Sequence, residues 1–351
     1  MILILSVLFV LCILCGALFL TAHLILRRFF GVRCEGNPNV TYFQAEDFPG
    51  LQAKSVSFPS NRGQLLRGFI YSMDFPSYKG LIVFVHGMGG GHTAYMTEIH
   101  ALAQEGYLVL GYDNTGTMLS DGAELGGFPQ AFLDLRHAIS FLRNSPLYRS
   151  YPLFLVGHSW GAYTVCNFPH LHENIQGVIA LSAFDNMSSL LVRLIQNQTG
   201  KRLSFLKPFF LLSIFIDYRG LALYRPSYSL QEADCPVLIL HGDHDPTVPL
   251  EESPLAHQEV LNQNSYIQTQ ICPGKGHNVY ASVRAEQYMA QVFGSYEKLE
   301  KEYDQQLPPE IRLEYFEKVD FRRMTEEDPD VMSLISNFLN QCLPEAEEKI
   351  R

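Results

Sequence analysis

Three short stretches of the chain carry residue types that together can do nucleophilic chemistry. Ser159 lies in GHSWG, Asp243 and Asp245 lie in GDHDP, and His277 lies in GKGHN. A serine hydroxyl is a poor nucleophile at neutral pH. It needs an imidazole beside it to take its proton and a carboxylate to orient that imidazole. The sequence therefore supplies a nucleophile, a base and an acid, provided that the fold brings these stretches together.

Each of these residues also has an ordinary structural explanation. The pattern G-x-S-x-G occurs by chance in about one chain in ten of this length. Ser159 fits a plain strand-to-helix connection, His277 fits a solvated loop, and aspartate is common in turns because its side chain bonds nearby backbone. The elements around these residues have to decide between the two interpretations.

Those elements alternate between strand and helix. Short apolar runs that are rich in β-branched residues predict strands buried on both faces, and stretches with helical periodicity lie between them. The predicted strands cover 80–87, 106–113, 151–157, 177–184 and 235–243, with a shorter run before His277, an antiparallel hairpin over 53–72, and helices over about 92–105, about 128–145 and after Ser159. Repeated β-α-β units predict an α/β fold, with a mostly parallel sheet wrapped by helices on both sides.

In this arrangement Ser159 falls between a buried strand and a helix, which is where a nucleophile elbow lies. Sites in open α/β sheets form at the carboxyl ends of strands. Ser159 has this position, and serine, aspartate and histidine follow one another along the chain in that order. In both respects residues 50–290 resemble the α/β-hydrolase fold family. The resemblance implies a serine esterase or lipase, or a peptidase of the S33 aminopeptidase-like branch, with Ser159, Asp245 and His277 as catalytic residues.

The resemblance also implies a choice between the two neighbouring aspartates. The family's G-x-x-D followed by V-P falls on Gly242 and Asp245, so Asp245 is expected to be the acid. Asp243 is then expected to be a turn residue or a supporting group.

The segment HGMGGGHTAY, residues 86–95, is similar to the family's H-G-x-G oxyanion loop. The resemblance implies that the backbone N–H groups of Met88 and Trp160 bind the developing oxyanion. A nucleotide site is not indicated, since no G-K-[ST] follows and the spacing is not G-x-G-x-x-G. No spaced ligand set emerges from the histidines His86, His241 and His244, so we expect neither a metal nor a cofactor.

The first 26 residues, MILILSVLFVLCILCGALFLTAHLIL, contain no charged side chain. At about 1.5 Å per residue, residues 2–26 make a helix of roughly 37 Å, enough to span a hydrocarbon core of about 30 Å. A cleaved signal peptide is the alternative, but no basic n-region, short apolar region or small-residue cleavage site is visible. We therefore predict a transmembrane anchor over residues 1–30.

Arg27, Arg28 and Arg33 follow this segment, whereas nothing basic except the amino terminus precedes it. The positive-inside rule therefore predicts a hydrolase domain, residues 31–351, on the cytoplasmic side. The cysteines beyond the anchor are scattered and odd in number, which suits reduced thiols better than a disulfide framework.

Two further segments interrupt the predicted hydrolase domain. A cap is predicted over about 185–232, and its apolar stretch at 203–224 fits either core-packed helices or an acyl-chain pocket or bilayer surface. A charged, helix-prone excursion is predicted over about 290–328. It is expected to be a solvated helical segment, and partner binding is the alternative. Residues 330–343 then read as an amphipathic helix that packs on the sheet.

The formal net charge of −10 argues against a nucleic-acid partner, which would demand basic stripes. The sequence thus predicts a membrane-anchored serine hydrolase that cleaves a small-molecule carboxylic ester, with a lipophilic acyl group, through an acyl-enzyme on Ser159. Cleavage of amides by the same machinery is the second hypothesis. A hydrolase-like scaffold that binds a ligand without turnover is the third.

Overall fold

The structure of the protein is a computed structural model that describes residues 1–201 and 203–344. An eight-stranded sheet lies at its centre, with the strand order β1-β2-β4-β3-β5-β6-β7-β8. The pairs β1–β2 and β2–β4 are antiparallel and every other neighbouring pair is parallel, which confirms the predicted α/β architecture. The strands are β1 Gln52–Pro59, β2 Leu65–Ser72, β3 Leu81–Val85, β4 Leu108–Tyr112, β5 Leu153–His158, β6 Gly177–Leu181, β7 Val237–Gly242 and β8 Ile267–Cys272.

Helices connect the strands and cover the sheet. The α-helices are α1 Ile2–Phe30, α2 Met96–Gln104, α3 Phe128–Asn144, α4 Trp160–Cys166, α5 Met187–Thr199, α6 Lys207–Tyr218, α7 Pro226–Ser229, α8 Gln258–Leu261, α9 Val283–Glu302, α10 Pro309–Glu317, α11 Phe321–Met324 and α12 Pro329–Gln341. Short 3₁₀ turns are found at Ala45–Asp47, His92–Tyr95, Pro169–Leu171, Ser204–Leu206, Arg219–Leu223, Leu230–Glu232, Leu250–Glu252 and Pro254–His257.

The central strands are buried on both faces because apolar side chains alternate between two helical layers. In β3 all five residues are buried. Val83 belongs to an apolar cluster with residues of α3 and α4, whereas Phe84 belongs to a second cluster with residues of α2 and α12. Helix α12 is the amphipathic last helix expected from the sequence, and Val331, Ile335, Phe338 and Leu339 are its buried face. The sheet is therefore wrapped on both sides, as predicted.

The segment after β6 that we interpret as a cap contains α5, α6 and α7. One ion pair joins the two ends of this segment to the edge of the sheet. Asp185, buried four residues after the end of β6, accepts a hydrogen bond of 2.8 Å from Nε of Arg225, and its second oxygen accepts one of 2.8 Å from the amide of Ser227. The fifty-residue excursion therefore leaves and rejoins the body of the molecule at one place.

The charged segment that follows β8 is helical, as the sequence indicates, but it is not solvated throughout. Helices α9, α10 and α11 enclose a small apolar cluster of their own, centred on Val292, Phe316 and Met324. Tyr315 on α10 donates a hydrogen bond of 2.7 Å to the carbonyl of Val292 on α9. Proline begins α10, since it fixes the backbone angle that a first helical turn requires.

The long first helix, α1, is apolar along nearly its whole length and changes its environment part-way. An 18-residue window of α1 has a mean hydropathy of 3.1, so the helix is long and apolar enough to cross a membrane. Its first half is exposed, but Ala22, Leu26 and Phe30 are buried against the body of the protein. The ring of Phe30 contacts Phe128, with 4.9 Å between ring centroids, and lies 6.3 Å from the ring of Trp160.

We expect that replacing Phe30 with alanine destabilises the whole protein, although Phe30 belongs to α1. Phe30 is 5% exposed, and truncating a buried phenylalanine typically lowers the free energy of unfolding by about 3–5 kcal/mol. Urea unfolding of the detergent-solubilised chain measures this loss. Leu8→Ala on the same helix is the matched control, because Leu8 is 53% exposed. Equal stability of the two variants would contradict the packing of α1 on the body.

Candidate active site

Ser159 lies at a sharp turn between β5 and α4, and two glycines make that turn sterically feasible. The backbone of Ser159 has φ 55° and ψ −112°, a strained conformation for a residue with a side chain. A Cβ added to Gly157 would lie 2.4 Å from the carbonyl carbon of Gly161, and one added to Gly161 would lie 1.9 Å from the carbonyl oxygen of Val85. The two glycines therefore let α4 begin against β3 and β5, with the hydroxyl of Ser159 at the strand end.

The structure brings the three predicted side chains together. Nε2 of His277 lies 2.9 Å from Oγ of Ser159, and Nδ1 of His277 lies 2.7 Å from a carboxylate oxygen of Asp245. With the Nδ1 proton donated to Asp245, Nε2 is free to accept the proton of the serine hydroxyl. This is the geometry required of a nucleophile, its base and the group that orients the base.

Asp245 is buried and its second oxygen is held by the backbone. It accepts hydrogen bonds of 2.8 Å from the amides of Thr247 and Val248. Burial acts to raise the pKa of Asp245, but the hydrogen bond and charge of His277, together with the amide of Val248, bring the pKa below its ordinary value. The carboxylate therefore stays ionised at neutral pH.

Asp243 lies apart from this arrangement. Its carboxylate is at the surface, where it accepts a hydrogen bond of 2.7 Å from the amide of Gly274 and contacts Nδ1 of His244 at 2.6 Å. The hydrogen bond to His244 holds the pKa of Asp243 below its ordinary value. Of the two neighbouring aspartates, only Asp245 contacts His277.

A chain of hydrogen bonds that the sequence analysis missed connects the three loops of the site. The amide of Gly87 donates to the hydroxyl of Tyr95 at 3.0 Å, and that hydroxyl donates to Nδ1 of His158 at 2.9 Å. Nε2 of His158 then donates to the backbone carbonyl of His277 at 3.0 Å. Burial lowers the pKa of His158 to about 3, with a smaller contribution from the charge of His277. His158 is therefore neutral, and its two ring nitrogens fix the loops without adding charge.

His158 directly precedes Ser159, and this adjacency was the only sequence signal that pointed to it. Tyr95 had no comparable signal, because its partners come from distant parts of the chain.

The two backbone amides expected to bind an oxyanion stand at the same edge of the sheet. Trp160 is the first residue of α4, so its N–H has no acceptor within the helix. Met88 lies in the loop after β3, and His86 fixes this loop by contacting the carbonyl of Gly87 at 2.7 Å and accepting from the amide of Asn114 at 3.0 Å.

A buried contact between His92 and Asp113 anchors the far end of the same loop. Nδ1 and the backbone amide of His92 lie 2.7 Å and 2.9 Å from one carboxylate oxygen of Asp113, and the other oxygen accepts from the amide of Leu119. Burial acts to raise the pKa of Asp113, but its contacts with His92 lower the pKa below the ordinary value. The loop is therefore held at both ends.

The other histidines near the site have structural partners. His241 is buried and contacts the carbonyl of Val248 at 2.8 Å, and its pKa is lowered by burial. His244 is exposed beside Asp243. Within residues 1–201 and 203–344, no cluster of three or more histidine, cysteine or acidic side chains has a geometry suited to a metal ion.

A cavity of about 250 Å³ lies beside the loop that carries Met88. Its lining is mainly apolar and includes Val40, Ala94, Met289 and Phe293, of which the last two come from α9. The carboxyl of Glu98, which is 4% exposed, is also part of the wall. Burial, and next the charge of Glu327, raise the pKa of Glu98 well above its ordinary value.

Comparison with known proteins agrees with this architecture. Residues 76–218 match a family model described as serine aminopeptidase S33, and residues 215–299 match one described as the prolyl oligopeptidase family. These two matched ranges run from the strand before the oxyanion loop to the helix after His277. The chain is an α/β-hydrolase. No curated protein matches this hydrolase significantly over its sequence.

Solved structures similar to this hydrolase include both esterases and peptidases. An esterase of Pyrococcus furiosus has a TM-score of 0.60 and 19% identity, with 89% of this chain and 99% of that chain covered. An acylaminoacyl peptidase of Pyrococcus horikoshii has a TM-score of 0.54 and 17% identity, with 87% of this chain and 44% of that chain covered. The α/β-hydrolase GrgF of a Penicillium species has a TM-score of 0.50 and 15% identity, with 78% and 99% covered. At these identities the similarity establishes the fold alone.

We expect Gly161→Ala to destabilise the hydrolase because its Cβ would overlap the backbone of Val85. Forcing extra atoms into a close-packed contact costs about 1–3 kcal/mol of unfolding free energy, and more where the obstacle is backbone. Gly294→Ala on α9 is the control, since no atom lies within 4 Å of its added Cβ. Alanine inside a helix should instead raise the unfolding free energy by about 0.5–1 kcal/mol. Urea titration compares the two, and an unchanged midpoint for Gly161→Ala would show that the elbow can relax.

Proposed function

We propose that this hydrolase cleaves a carboxylic ester with an apolar acyl group through a covalent acyl-enzyme on Ser159. The observation that carries this proposal is the imidazole of His277, which lies 2.9 Å from Oγ of Ser159 and 2.7 Å from the carboxylate of Asp245. Serine hydrolysis of this kind needs no metal and no cofactor.

In the first half of the reaction, Oγ of Ser159 attacks the ester carbonyl while Nε2 of His277 takes the hydroxyl proton. The negative charge on the carbonyl oxygen is stabilised by the amides of Met88 and Trp160, and Asp245 stabilises the imidazolium. The bond between the carbonyl carbon and the leaving oxygen then breaks, and His277 returns its proton to the departing alcohol.

In the second half, water attacks the acyl-enzyme and gives its proton to His277. The bond to Oγ breaks, the proton returns to the serine, and the carboxylic acid leaves. The same groups act in both halves with reversed direction of proton transfer.

The preference for an apolar acyl group is supported by the surroundings of the site. The cavity beside Met88 is walled mainly by apolar side chains, and pockets of this kind select ligands by burying apolar surface. Among the described residues, Glu98 is the one carboxyl in its wall, and burial favours the uncharged form of that group by raising its pKa. A mainly apolar wall favours an acyl chain over an ion.

Cleavage of an aminoacyl amide is the second candidate, and Glu98 is also the observation that favours it. A substrate ammonium placed in the cavity would face Glu98 and, behind it, Glu327, whose pKa burial raises to about 7. A cation there would stabilise the ionised carboxylates.

The test is covalent labelling together with a substrate series. We expect a fluorophosphonate probe to label the wild-type chain and to leave Ser159→Ala unlabelled, because the probe reacts only with an activated hydroxyl. Among p-nitrophenyl esters of graded chain length, kcat/KM should rise with the acyl chain and exceed that for aminoacyl amides. A preference for the amides, lost in Glu98→Gln, would support the second candidate. No labelling of the folded wild-type chain would favour a scaffold without turnover.

We expect the two neighbouring aspartates to differ sharply in their effect on turnover. Asp245→Asn should lower kcat by roughly 10⁴, because an amide leaves His277 in the wrong tautomer. Asp243→Asn is the matched control, and it should change kcat less than about threefold, since its side chain contacts only a surface loop. Both values come from initial rates with p-nitrophenyl butyrate. A reversed order would assign the acid to Asp243.

We further propose that residues 1–30 are a retained membrane anchor and that residues 31–351 form a hydrolase domain facing the cytoplasm. Within that domain, 185–232 would be a cap and 290–328 an inserted helical segment. The burial of Phe30 against Phe128 supports retention, because cleavage of the segment would empty that site. Arg27, Arg28 and Arg33, which follow the anchor, support the cytoplasmic side.

The side of the membrane can be tested with a single reporter cysteine. Leu147→Cys in a Cys34→Ser background places a thiol at an exposed position, since the remaining thiols lie in α1 or are buried. A membrane-impermeant maleimide should label this chain only after the cells are lysed. Labelling of intact cells would place the domain outside.

A further inference from the structure

Helix α6 and the turns beside it expose a group of large apolar side chains. The large side chains involved are those of Phe205, Leu212, Phe215, Ile216 and Leu223, which we call the cap surface; their exposed fractions run from 39% for Phe215 to 59% for Leu223. The opposite side of α6 is also apolar, since Phe210 and Ile214 pack inward. Apolar side chains thus lie on both the inward and the outward side of α6, whereas a helix at a water surface normally carries polar side chains on its outer side.

Helix α6 is in direct contact with α1. Nδ1 of His23 lies 3.0 Å from Oγ of Ser213 on α6. Ala22 and Leu26 of α1 are buried in the same apolar cluster as Phe210 and Ile214, and Leu18 is partly buried against it. Leu18 is therefore about the point along α1 at which contact with the cap begins.

The length of α1 places this contact near the edge of a bilayer. About twenty helical residues span a hydrocarbon core of about 30 Å, so a span that starts at Ile2 reaches Thr21. Contact with α6 begins before that point, at Leu18. The first charged side chain of α1, Arg27, comes four residues after His23, or about 6 Å further along the axis. If α1 crosses the membrane, α6 lies at the depth where the hydrocarbon meets the headgroups.

Basic side chains lie among and before the cap-surface residues along the chain. Lys207 is the first residue of α6 and Arg219 follows its last residue, while Lys201 precedes the segment. Asp217 is the one acidic residue of α6. Apolar side chains with lysine or arginine beside them are typical of helices that lie in the plane of a membrane containing anionic lipids. This local positive charge contrasts with the net charge of −10 of the chain.

We propose that the cap surface is a second membrane contact, inserted at the headgroup–acyl boundary of the phospholipid bilayer that α1 crosses. The inference rests on the proposed role of α1 as a membrane-spanning anchor. The anchor and the cap together fix the orientation of the hydrolase on the membrane. They hold the cap against the lipid surface, from which an ester with an apolar acyl group can reach the site.

Spin labels on the full-length chain in vesicles of phosphatidylcholine and phosphatidylglycerol test this proposal. Ile216→Cys carries a label on the cap surface, and Leu313→Cys on α10, which is 63% exposed and outside the cap surface, is the matched control. Both are made in a Cys12→Ser, Cys15→Ser, Cys34→Ser background. For each spin label, the rate of collision with oxygen, which concentrates in lipid, is compared with the rate of collision with a water-soluble nickel chelate. The oxygen-to-nickel ratio at residue 216 should exceed that at residue 313 by about threefold or more.

A third sample separates failure of this proposal from failure of the anchor. It keeps native Cys12 as its labelled position, with Cys15 and Cys34 replaced by serine. If position 12 is in lipid and position 216 has the same ratio as position 313, the cap surface is in water and the proposal is overturned while the anchor stands. If position 12 is also in water, the anchor and the proposal fall together. Fluorophosphonate labelling of Ser159 in the same samples reports the catalytic proposal independently of both results.

Discussion

The arrangement of the site depends on one close approach, between the start of α4 and the carbonyl end of β3. At this point the Cα of Gly161 faces the carbonyl oxygen of Val85 so closely that no side-chain atom fits between them. Because α4 begins there, the strained residue before it, Ser159, is lifted out of the strand and its hydroxyl reaches the imidazole of His277. The same approach brings the first amide of α4 to the loop after β3. The hydroxyl of Ser159 and the amide of Trp160 are thus positioned by one steric constraint.

The sequence predicted the parts of this arrangement that depend on local pattern. Continuous apolar runs predicted the buried strands, and Gly157 and Gly161 on either side of Ser159 predicted a tight turn because glycine leaves room for neighbouring backbone. Asp245 and His277 were predicted by their places after later strands. Parallel strands in such a sheet have their carboxyl ends at one edge. Residues that directly follow different strands in the sequence therefore lie close together in space.

The parts that could not be predicted depend on contacts between distant residues. Tyr95 and His158 are 63 positions apart, and no pattern in either stretch indicates that one side chain hydrogen-bonds the other. The same holds for Glu98, which has an ordinary place on an amphipathic helix. Its burial in a cavity wall follows from α9 and α11 folding over it. The contact between α1 and α6 was likewise absent from the sequence analysis, because hydropathy describes each helix alone and not its neighbour.

The burial of Phe30 joins the first helix to the part of the protein that carries Ser159. Phe30 contacts Phe128 and lies close to Trp160, the residue that follows Ser159. The carbonyls of Phe30 and Val32 accept hydrogen bonds from the amides of Gly126 and Leu125. A flexible tether between a membrane and an enzyme would isolate one from the other. Here α1 ends at Phe30, whose ring lies against Phe128 and near Trp160. The tilt of α1 is therefore coupled to the position of the turn at Ser159. A change in the tilt of α1, such as a bilayer of different thickness imposes on a helix that spans it, would therefore act on the contacts beside Ser159.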